Sequence, residues 1–301
     1  MKSKQYMAIE AVMRRAKAFK MSNLDLEAEL ERKRVQNAKG YKLPRAVQLI
    51  LKPQKLTVAN TTCYKLGTGS TCVLYFHGGS YVDPPLIAHW RFLQQLTREA
   101  DVTVYLPIYG RAPQHHCSRT VMHMRKVYCE LLAQYSSEHI VVMGDSAGGG
   151  LALAVCENLA EKKLPQPNKA ILLSPWLDVD MTGEYEKCKI SDPILIFDEL
   201  KFFGACYRGQ LPVGHYMASP LFGLSANLAP LHVFVGESEL FYPDCAKLEQ
   251  LAKDVGAELN LYSYKDMPHV FLMYPIPEAK TARAKVVDIL NDGKELTHEK
   301  P

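Results

Sequence analysis

Short apolar runs alternate with longer amphipathic stretches from about residue 70 to the end of the chain. The runs are rich in β-branched and aromatic residues and span 72–76, 102–106, 139–143, 170–173, 232–235 and 259–264. None alternates cleanly between polar and apolar positions, which is typical of strands covered on both faces. The longer stretches favour helices at 87–99, 120–135, 147–162 and 244–255. The pattern therefore predicts an α/β fold, a mostly parallel sheet flanked by helices.

Two segments lie outside this alternation. The first forty residues are charged and follow a helical pattern, in which Ser22 or Asn23 could cap a second helix and Gly40 end it. Residues 182–216 separate two strands where a crossover needs fewer residues, and they contain a helix candidate at 197–207. We predict one domain over residues 1–301, with cap elements at 1–42 and 182–216 and a core at 43–181 and 217–295. The small residues 67–70 are interpreted as a hairpin turn.

Composition narrows the function classes. The chain has 48% hydrophobic and 23% charged residues and a formal net charge of +4, without a block of like charges, so neither nucleic acid nor a membrane surface is an expected partner. No stretch of about 18 apolar residues could span a membrane, and no secretion signal precedes the first helix pattern. The eight cysteines stand singly and never form C-x-x-C. We expect reduced thiols, a cytoplasmic location, and neither a metal nor a cofactor.

Residues 144–150 read GDSAGGG, a serine among residues with almost no side chains. A strand candidate precedes it and a helix candidate follows, which is the setting that gives a G-x-S-x-G motif its meaning. A serine on so sharp a turn is strained, and only small neighbours leave room for it. Known phosphate-loop spacings are absent. We predict Ser146 as an activated nucleophile, with Asp145 fixing the turn by hydrogen bonds.

A second glycine motif, His77-Gly78-Gly79-Ser80, follows the strand candidate at 72–76. Two glycines past a strand end let the main chain approach a ligand and direct its amides toward it. A tight turn is the alternative interpretation. Together with the serine motif, the sequence predicts an oxyanion hole formed by the amides of Gly78, Gly79 and Ala147.

A nucleophilic serine also needs a base. Three histidines follow residue 216: His232 begins a strand candidate, His298 lies in a charged tail, and His269 lies in the loop KDMPHVF. That loop comes directly after the last strand candidate, where side chains reach the carboxyl edge of the sheet. We therefore predict His269 as the general base.

The acid must orient that base. Glu237, Glu239 and Asp244 all follow the strand candidate at 232–235. Glu239 is favoured, because Leu240 and Phe241 can anchor its loop. Asp244 lies further on, where we expect it to cap a helix, and it stays open as the alternative acid.

The motifs HGGS, GDSAGGG and DMPH, in this order, resemble those of the hormone-sensitive-lipase-like branch of the α/β-hydrolase esterases, whose first motif is usually HGGG. The stretches YGRAPQHH and SPLFG are similar to that family's Y-x-L-A-P-E-H and S-P-L segments, and the similarity runs from about residue 70 to residue 290. It implies an α/β-hydrolase fold, Ser146 as nucleophile and His269 as base. At the family's G-x-x-D-x-L position the acid is Glu239, and Ser80 replaces the third glycine.

These features predict a carboxylic ester hydrolase that acts on small esters, acetyl to about octanoyl, through an acyl-enzyme. Amidase or peptidase activity would use the same residues and stays open. A non-catalytic ligand receptor on the same fold is the alternative from another class, and the retained His269 argues against it. The expected partner is a small-molecule ester, and a homo-oligomer is left open.

Overall fold

Eight strands form one sheet in the computed structural model, which describes residues 2–291. Their order is β1-β2-β4-β3-β5-β6-β7-β8; β1 pairs with β2 and β2 with β4 in antiparallel fashion, and all other pairs are parallel. The strands are β1 Gln54–Val58, β2 Thr61–Leu66, β3 Thr71–Phe76, β4 Val102–Pro107, β5 Ile140–Asp145, β6 Lys169–Leu173, β7 Leu231–Gly236 and β8 Leu259–Tyr264. The predicted α/β architecture, a mostly parallel sheet flanked by helices, is confirmed.

Helices cover both faces of the sheet. They are α1 Lys4–Ser22, α2 Leu26–Ala38, α3 Arg45–Ile50, α4 Ile87–Glu99, α5 Cys117–Leu131, α6 Ala147–Glu161, α7 Glu186–Ser191, α8 Phe197–Arg208, α9 Tyr242–Val255 and α10 Pro277–Asn291. The interior side chains of α5, α6 and α9 pack into one apolar cluster, and those of α4 and α10 into another.

The central strands lack polar–apolar alternation because both of their faces are covered. Every residue of β3, β4 and β5 is buried. In β3, Leu74 and Phe76 belong to the α6 cluster, whereas Val73 and Tyr75 belong to the α4 cluster. Successive side chains point to opposite faces of a strand, so each strand must be apolar throughout. All six predicted apolar runs contain strands, and this burial accounts for them except in β8, where no residue is buried.

The second helix begins later than predicted. Asp25 is its N-cap and accepts a hydrogen bond from the Ala28 amide at 3.0 Å. Ser22 and Asn23 instead donate their side-chain hydrogen bonds to the Phe19 carbonyl, at 2.9 and 2.8 Å, and so close the end of α1. The Asp25 carboxylate thus satisfies one of the free amides at the start of α2. The prediction that Ser22 or Asn23 caps this helix is wrong.

The predicted hairpin turn at 67–70 is also wrong. These residues join β2 to β3, but β4 lies between those two strands in the sheet. The hairpin is formed by β1 and β2, with Ala59 and Asn60 at its turn, both at positive φ. The apolar pattern did not predict β1, because most of its side chains are exposed at the edge of the sheet.

The N-terminal helix lies against the inserted segment. From α1, the Arg14 guanidinium donates to the Ile190 and Ser191 carbonyls, and Lys17 Nζ donates to the Asp192 carbonyl at 2.7 Å. Lys20 forms an ion pair with Glu199 of α8. The structure therefore brings residues of 1–42 and 182–216 together, and their joint role as a cap stays a prediction.

Within residues 2–291, no helix is both long enough and apolar enough to cross a membrane.

Candidate active site

Ser146 occupies the turn between β5 and α6 with a strained backbone, φ 54° and ψ −124°. Close contacts with neighbouring main chain require glycine at positions 144 and 148. A Cβ at Gly144 would lie 2.2 Å from the Gly148 carbonyl oxygen, and one at Gly148 would lie 2.0 Å from the Phe76 carbonyl oxygen. Both distances are far inside van der Waals contact, so the turn allows no side chain at either position. The absence of side chains around the serine thus has the steric origin proposed from the sequence.

Main-chain hydrogen bonds hold this turn in place. The Ser146 amide donates to the Leu173 carbonyl at 2.9 Å, and the Ser146 carbonyl accepts the Trp176 amide at 2.9 Å. Both partners belong to the end of β6 or the loop after it, so the neighbouring strand supports the strained conformation. The N-terminus of α6 starts at Ala147, directly after the serine hydroxyl.

Ser146, His269 and Glu239 form a continuous hydrogen-bonded series. His269 Nε2 lies 2.9 Å from Ser146 Oγ, and His269 Nδ1 lies 2.5 Å from Glu239 Oε2. The side chains come from three places, the β5–α6 turn, the loop after β8 and the loop after β7, which meet at the carboxyl edge of the sheet. All three are buried or nearly so, with Ser146 7% and His269 6% exposed.

The carboxylate of Glu239 is fully buried and has every oxygen in use. Its Oε1 accepts the Gly236 amide at 2.7 Å and the Ser174 hydroxyl at 2.7 Å, which leaves Oε2 for His269. Ser174 Oγ also accepts the Val270 amide at 2.9 Å, so one hydroxyl fixes both the acid and the loop of the base. Sequence reasoning missed Ser174, although its place at the carboxyl end of β6 was available as a signal.

Asp244 lies away from the histidine. It is in the first turn of α9, where its carboxylate accepts the Tyr185 hydroxyl at 2.8 Å. It is not the helix cap, because Phe241 holds that position. Burial raises the pKa of Asp244 to about 7, and the Tyr185 hydrogen bond opposes this rise. Glu237 accepts the Ser263 hydroxyl at 3.2 Å and likewise takes no part in the Ser146 series.

The other two late histidines do not join this site. His232 lies at the beginning of β7, with its Nδ1 3.4 Å from the Tyr262 hydroxyl. His298 falls outside the described residues. Among residues 2–291, no group of three or more His, Cys, Asp or Glu side chains is arranged to hold a metal ion.

The structure corrects one member of the predicted oxyanion hole. The Gly78 amide donates to Asp145 Oδ1 at 2.9 Å and is therefore not free to meet a substrate. The amides of Gly79, Ser80 and Ala147 make no hydrogen bond to any part of the chain that the structure describes. A Cβ at Gly78 would lie 2.9 Å from the Ser146 Cβ, so this loop passes directly beside the serine. The amides of Gly79 and Ala147 are therefore available as predicted, and the free amide of Ser80 takes the place of the Gly78 amide.

Asp145 ties the glycine loop to the serine turn. Besides the Gly78 amide, its buried carboxylate accepts the Tyr75 hydroxyl at 2.7 Å and His89 Nε2 at 3.2 Å. Burial would raise the pKa of Asp145, but His89 and the hydrogen bonds from Tyr75 and Gly78 hold it below its usual value. Asp145 is therefore an ionised acceptor that orients main chain, which extends the predicted role from the turn to the neighbouring loop. His89 was not predicted.

His77 supports the same loop as a neutral ring. Its Nδ1 donates to the Gly78 carbonyl at 2.7 Å, and the ring stacks on Tyr109 at 4.3 Å. Burial lowers the pKa of His77 to about 3, so the imidazole carries no charge at neutral pH. Tyr109 in turn donates its hydroxyl to the His77 carbonyl at 2.6 Å. The loop after β3 is held on both sides.

Asp192 connects the inserted segment to the loop of the acid. Its carboxylate, fully buried, accepts the Leu240 amide at 2.8 Å and also the amides of Ile194 and Leu195. Burial raises the pKa of Asp192, and nearby His269 opposes the rise. The inserted segment is therefore hydrogen bonded to the main chain of Leu240, the residue directly after Glu239.

Aromatic rings fill the space between the insertion and His269. Tyr207 of α8 stacks on Tyr81 with centroids 3.5 Å apart, Tyr81 stacks on Trp176, and Trp176 stacks on Phe241. Phe241 meets the His269 ring edge-on at 5.0 Å. These rings, defined here as the aromatic column (Tyr207, Tyr81, Trp176, Phe241), reach the Ser146–His269–Glu239 series through Phe241.

Comparison with known proteins agrees with the fold. A family model described as alpha/beta hydrolase fold matches residues 73–273. An acetyl-hydrolase from Streptomyces hygroscopicus is 30% identical over 70% of this chain and 72% of its own. A triacylglycerol lipase from Mycobacterium tuberculosis is 31% identical over 62% of this chain, which spans only 39% of that lipase.

A similar solved structure is that of an esterase from the bacterial hormone-sensitive lipase family. Its TM-score with this chain is 0.76 at 29% identity, with 88% of this chain and 96% of that chain covered. The resemblance drawn from the sequence motifs is confirmed.

Proposed function

The chain belongs to the alpha/beta hydrolase fold family, and from this membership we propose that it is a carboxylic ester hydrolase acting through Ser146, His269 and Glu239. The observation that carries the proposal is the hydrogen-bonded series from Ser146 Oγ to His269 Nε2, 2.9 Å, and from His269 Nδ1 to Glu239 Oε2, 2.5 Å. A hydroxyl, an imidazole and a carboxylate in this order are what nucleophilic acyl transfer needs.

In the first half of the reaction, Ser146 Oγ attacks the ester carbonyl while His269 Nε2 takes the hydroxyl proton. The imidazole becomes a cation beside the carboxylate of Glu239, which stabilises it and keeps Nε2 directed at the serine. The bond to the alcohol breaks as His269 returns the proton to the leaving alkoxide. The products of this half are the free alcohol and an acyl group on Ser146.

Charge that develops on the carbonyl oxygen needs donors that are already in place. We assign this role to the amides of Gly79, Ser80 and Ala147. Asp145 supports the assignment because its hydrogen bond to the Gly78 amide fixes the loop next to them. The positive end of α6, which starts at Ala147, favours the same negative charge.

In the second half, water attacks the acyl carbonyl and His269 takes its proton. The intermediate collapses, the proton passes to Ser146 Oγ, and the carboxylic acid leaves. Since the acyl group departs as acid and the serine is restored, ester and water give acid and alcohol with no other reactant.

The aromatic column supports a small acyl group as the preferred substrate. Tyr81 and Trp176 pack onto the first turn of α6, where a Cβ at Gly150 would lie 2.8 Å from the Tyr81 hydroxyl and 2.2 Å from the Trp176 carbonyl oxygen. Bulky rings so close to Ser146 leave little depth for a long chain. We propose short- to medium-chain esters, acetyl to octanoyl, with the shortest cleaved best.

The eight cysteines support a cytoplasmic location, which we propose as well. All eight are free thiols and most are buried. Burial raises the pKa of Cys63 and of Cys72 to about 12, so both are unreactive packing residues. Such thiols suit a reducing compartment.

A panel of p-nitrophenyl esters tests the function. Ser146→Ala is expected to lower kcat on p-nitrophenyl acetate by about 10³-fold or more, with an unchanged Tm. Ser225→Ala, a half-buried serine outside the site, serves as control and should keep full activity. A p-nitroanilide of the same acyl group separates an esterase from an amidase. Equal turnover by Ser146→Ala and the wild type would overturn the proposal.

A further inference from the structure

A cavity of about 270 Å³ lies between the β1–β2 hairpin, the loop after β4 and the first two turns of α5. None of Ser146, His269 and Glu239 lines it. Its volume is near the lower end of small-molecule sites. The function proposed above therefore leaves this cavity unused.

Positively charged and titratable side chains converge on this cavity. Lys55 comes from β1, and His115, Arg119 and His123 come from the beginning of α5 or just before it. No aspartate or glutamate is among the lining residues. The cavity thus combines two permanent positive charges with two imidazoles.

None of these four side chains makes a hydrogen bond or ion pair to another residue between 2 and 291. Some cations elsewhere on the surface are paired, such as Arg32 with Glu29 and Arg34 with Glu31, whereas no acid is among the residues that line this cavity. The acid nearest in sequence on α5, Glu130, accepts the Ala59 amide instead. Gathering like charges without a partner costs free energy, and an anion in the cavity would remove that cost.

The two imidazoles respond to the surrounding charge. Burial lowers the pKa of His115, and the positive charges of Arg119, His123 and Arg111 lower it further. Burial and Arg119 likewise lower the pKa of His123. Both rings are neutral at pH 7 without a ligand, and both can accept a proton when an anion binds.

The ring of His115 is held in place by Gly110. A Cβ at Gly110 would lie 2.6 Å from the His115 Cγ, so the imidazole packs directly against this glycine. The Thr120 hydroxyl donates to the Gly110 carbonyl at 2.9 Å and ties this loop to α5. Thr61 and Thr62 of β2 also line the cavity. The loop that carries Gly110 and His115 is therefore tied to α5, which also contributes Arg119 and His123 to the cavity.

We propose that this cavity binds a phosphate monoester of a small organic alcohol. A phosphate monoester carries a charge of about −1.5 to −2 at pH 7, which matches Lys55 and Arg119, and it offers three acceptor oxygens. Arginine suits such a group because its guanidinium donates two parallel hydrogen bonds. Tyr41, Ile108 and Met124 are also among the lining residues and offer apolar contacts for a short organic part.

Isothermal titration with glycerol 3-phosphate tests the site, with inorganic phosphate, sulfate and glycerol as reference ligands. The ester is expected to bind more tightly than either inorganic anion, and glycerol is expected not to bind. Arg119→Gln and His123→Gln should each weaken binding about tenfold. Lys126→Gln is the matched control, because Lys126 is exposed on α5 and does not line the cavity.

Binding to Ser146→Ala should equal binding to the wild type, which separates this site from the proposed catalytic one. Two results would overturn the proposal. One is an equal loss of affinity in Lys126→Gln and Arg119→Gln, which indicates general attraction to positive charge. The other is glycerol 3-phosphate binding no more tightly than sulfate.

Discussion

The carboxylate of Glu239 lies 2.5 Å from the His269 imidazole, while Asp244, five residues further along the chain, hydrogen bonds to Tyr185 instead. Glu239→Gln should therefore lower kcat on p-nitrophenyl acetate by about 10³-fold or more, because an amide cannot stabilise the imidazolium. The variant should stay folded, since glutamine keeps an oxygen for the Gly236 amide and the Ser174 hydroxyl.

Asp244→Asn is the matched variant for the same assay. It keeps an acceptor for the Tyr185 hydroxyl, and its kcat is expected to stay within a few-fold of the wild type. If Asp244→Asn lost as much activity as Glu239→Gln, the assignment of the acid role to Glu239 alone would be contradicted.

Ser174 is predicted to be a positioning residue. Its hydroxyl joins Glu239 to the Val270 amide, so Ser174→Ala removes one hydrogen bond to a charged group, worth about 1.5–3 kcal/mol. We expect kcat to fall about 10- to 100-fold with little change in KM. A purely structural role would lower Tm and the amount of active enzyme without lowering kcat per active site, as counted by titration with an active-site reagent.

We predict that alanine lowers Tm much more at Gly148, in the serine turn, than at Gly256. Gly148→Ala places a Cβ 2.0 Å from the Phe76 carbonyl oxygen, whereas Gly256 has positive φ but nothing within 4 Å of its Cβ position. Overlap with β3 main chain should lower Tm by about 6 °C or more. Gly256→Ala carries only the cost of a left-handed alanine, about 1 kcal/mol. Differential scanning calorimetry of both variants compares them, and similar Tm values would show that the turn tolerates side chains.

Asp244 should make the protein less stable as pH rises. Its folded pKa is about 7, above the unfolded value of about 3.9, so between these two pH values the folded state binds more protons than the unfolded state. The free energy of unfolding therefore falls from about pH 4 to pH 7, by up to about 1.4 kcal/mol per pH unit, and then levels off.

Urea titrations across that pH range measure this slope. Asp244→Asn should flatten it, because asparagine does not ionise. Asp254→Asn, at an exposed position on the same helix, should leave the slope unchanged. If the free energy of unfolding had the same pH dependence in the wild type and in Asp244→Asn, the folded protein would not raise the pKa of Asp244.

Much of the core could be predicted because burial on both faces leaves its mark on the sequence. The runs that became β3, β4 and β5 must be apolar throughout, and α4 spans the predicted residues 87–99. Glu239 could be placed near His269 because both follow strand ends at one sheet edge. By contrast, β1 is largely exposed and has no apolar run for a pattern to detect.

The remaining site features depend on backbone directions that residue types do not encode. The sequence does not distinguish which of Gly78, Gly79 and Ser80 has an amide that is free to bind a ligand. Which amides are free follows from the positive φ of Gly79 and Ser80 and from the Asp145 carboxylate beneath Gly78. Ser174 was missed for a similar reason, since its hydroxyl acquires a role only when β6 and β7 lie side by side.

The central claim is that Ser146 is the nucleophile, and covalent labelling tests it most directly. The protein is treated with a fluorophosphonate, digested, and mapped by peptide mass spectrometry, alongside Ser146→Ala and His269→Gln. We predict one adduct per chain on the peptide containing Ser146, much slower labelling of His269→Gln, and none of Ser146→Ala. An adduct on another residue, or equal labelling of Ser146→Ala, would contradict the account.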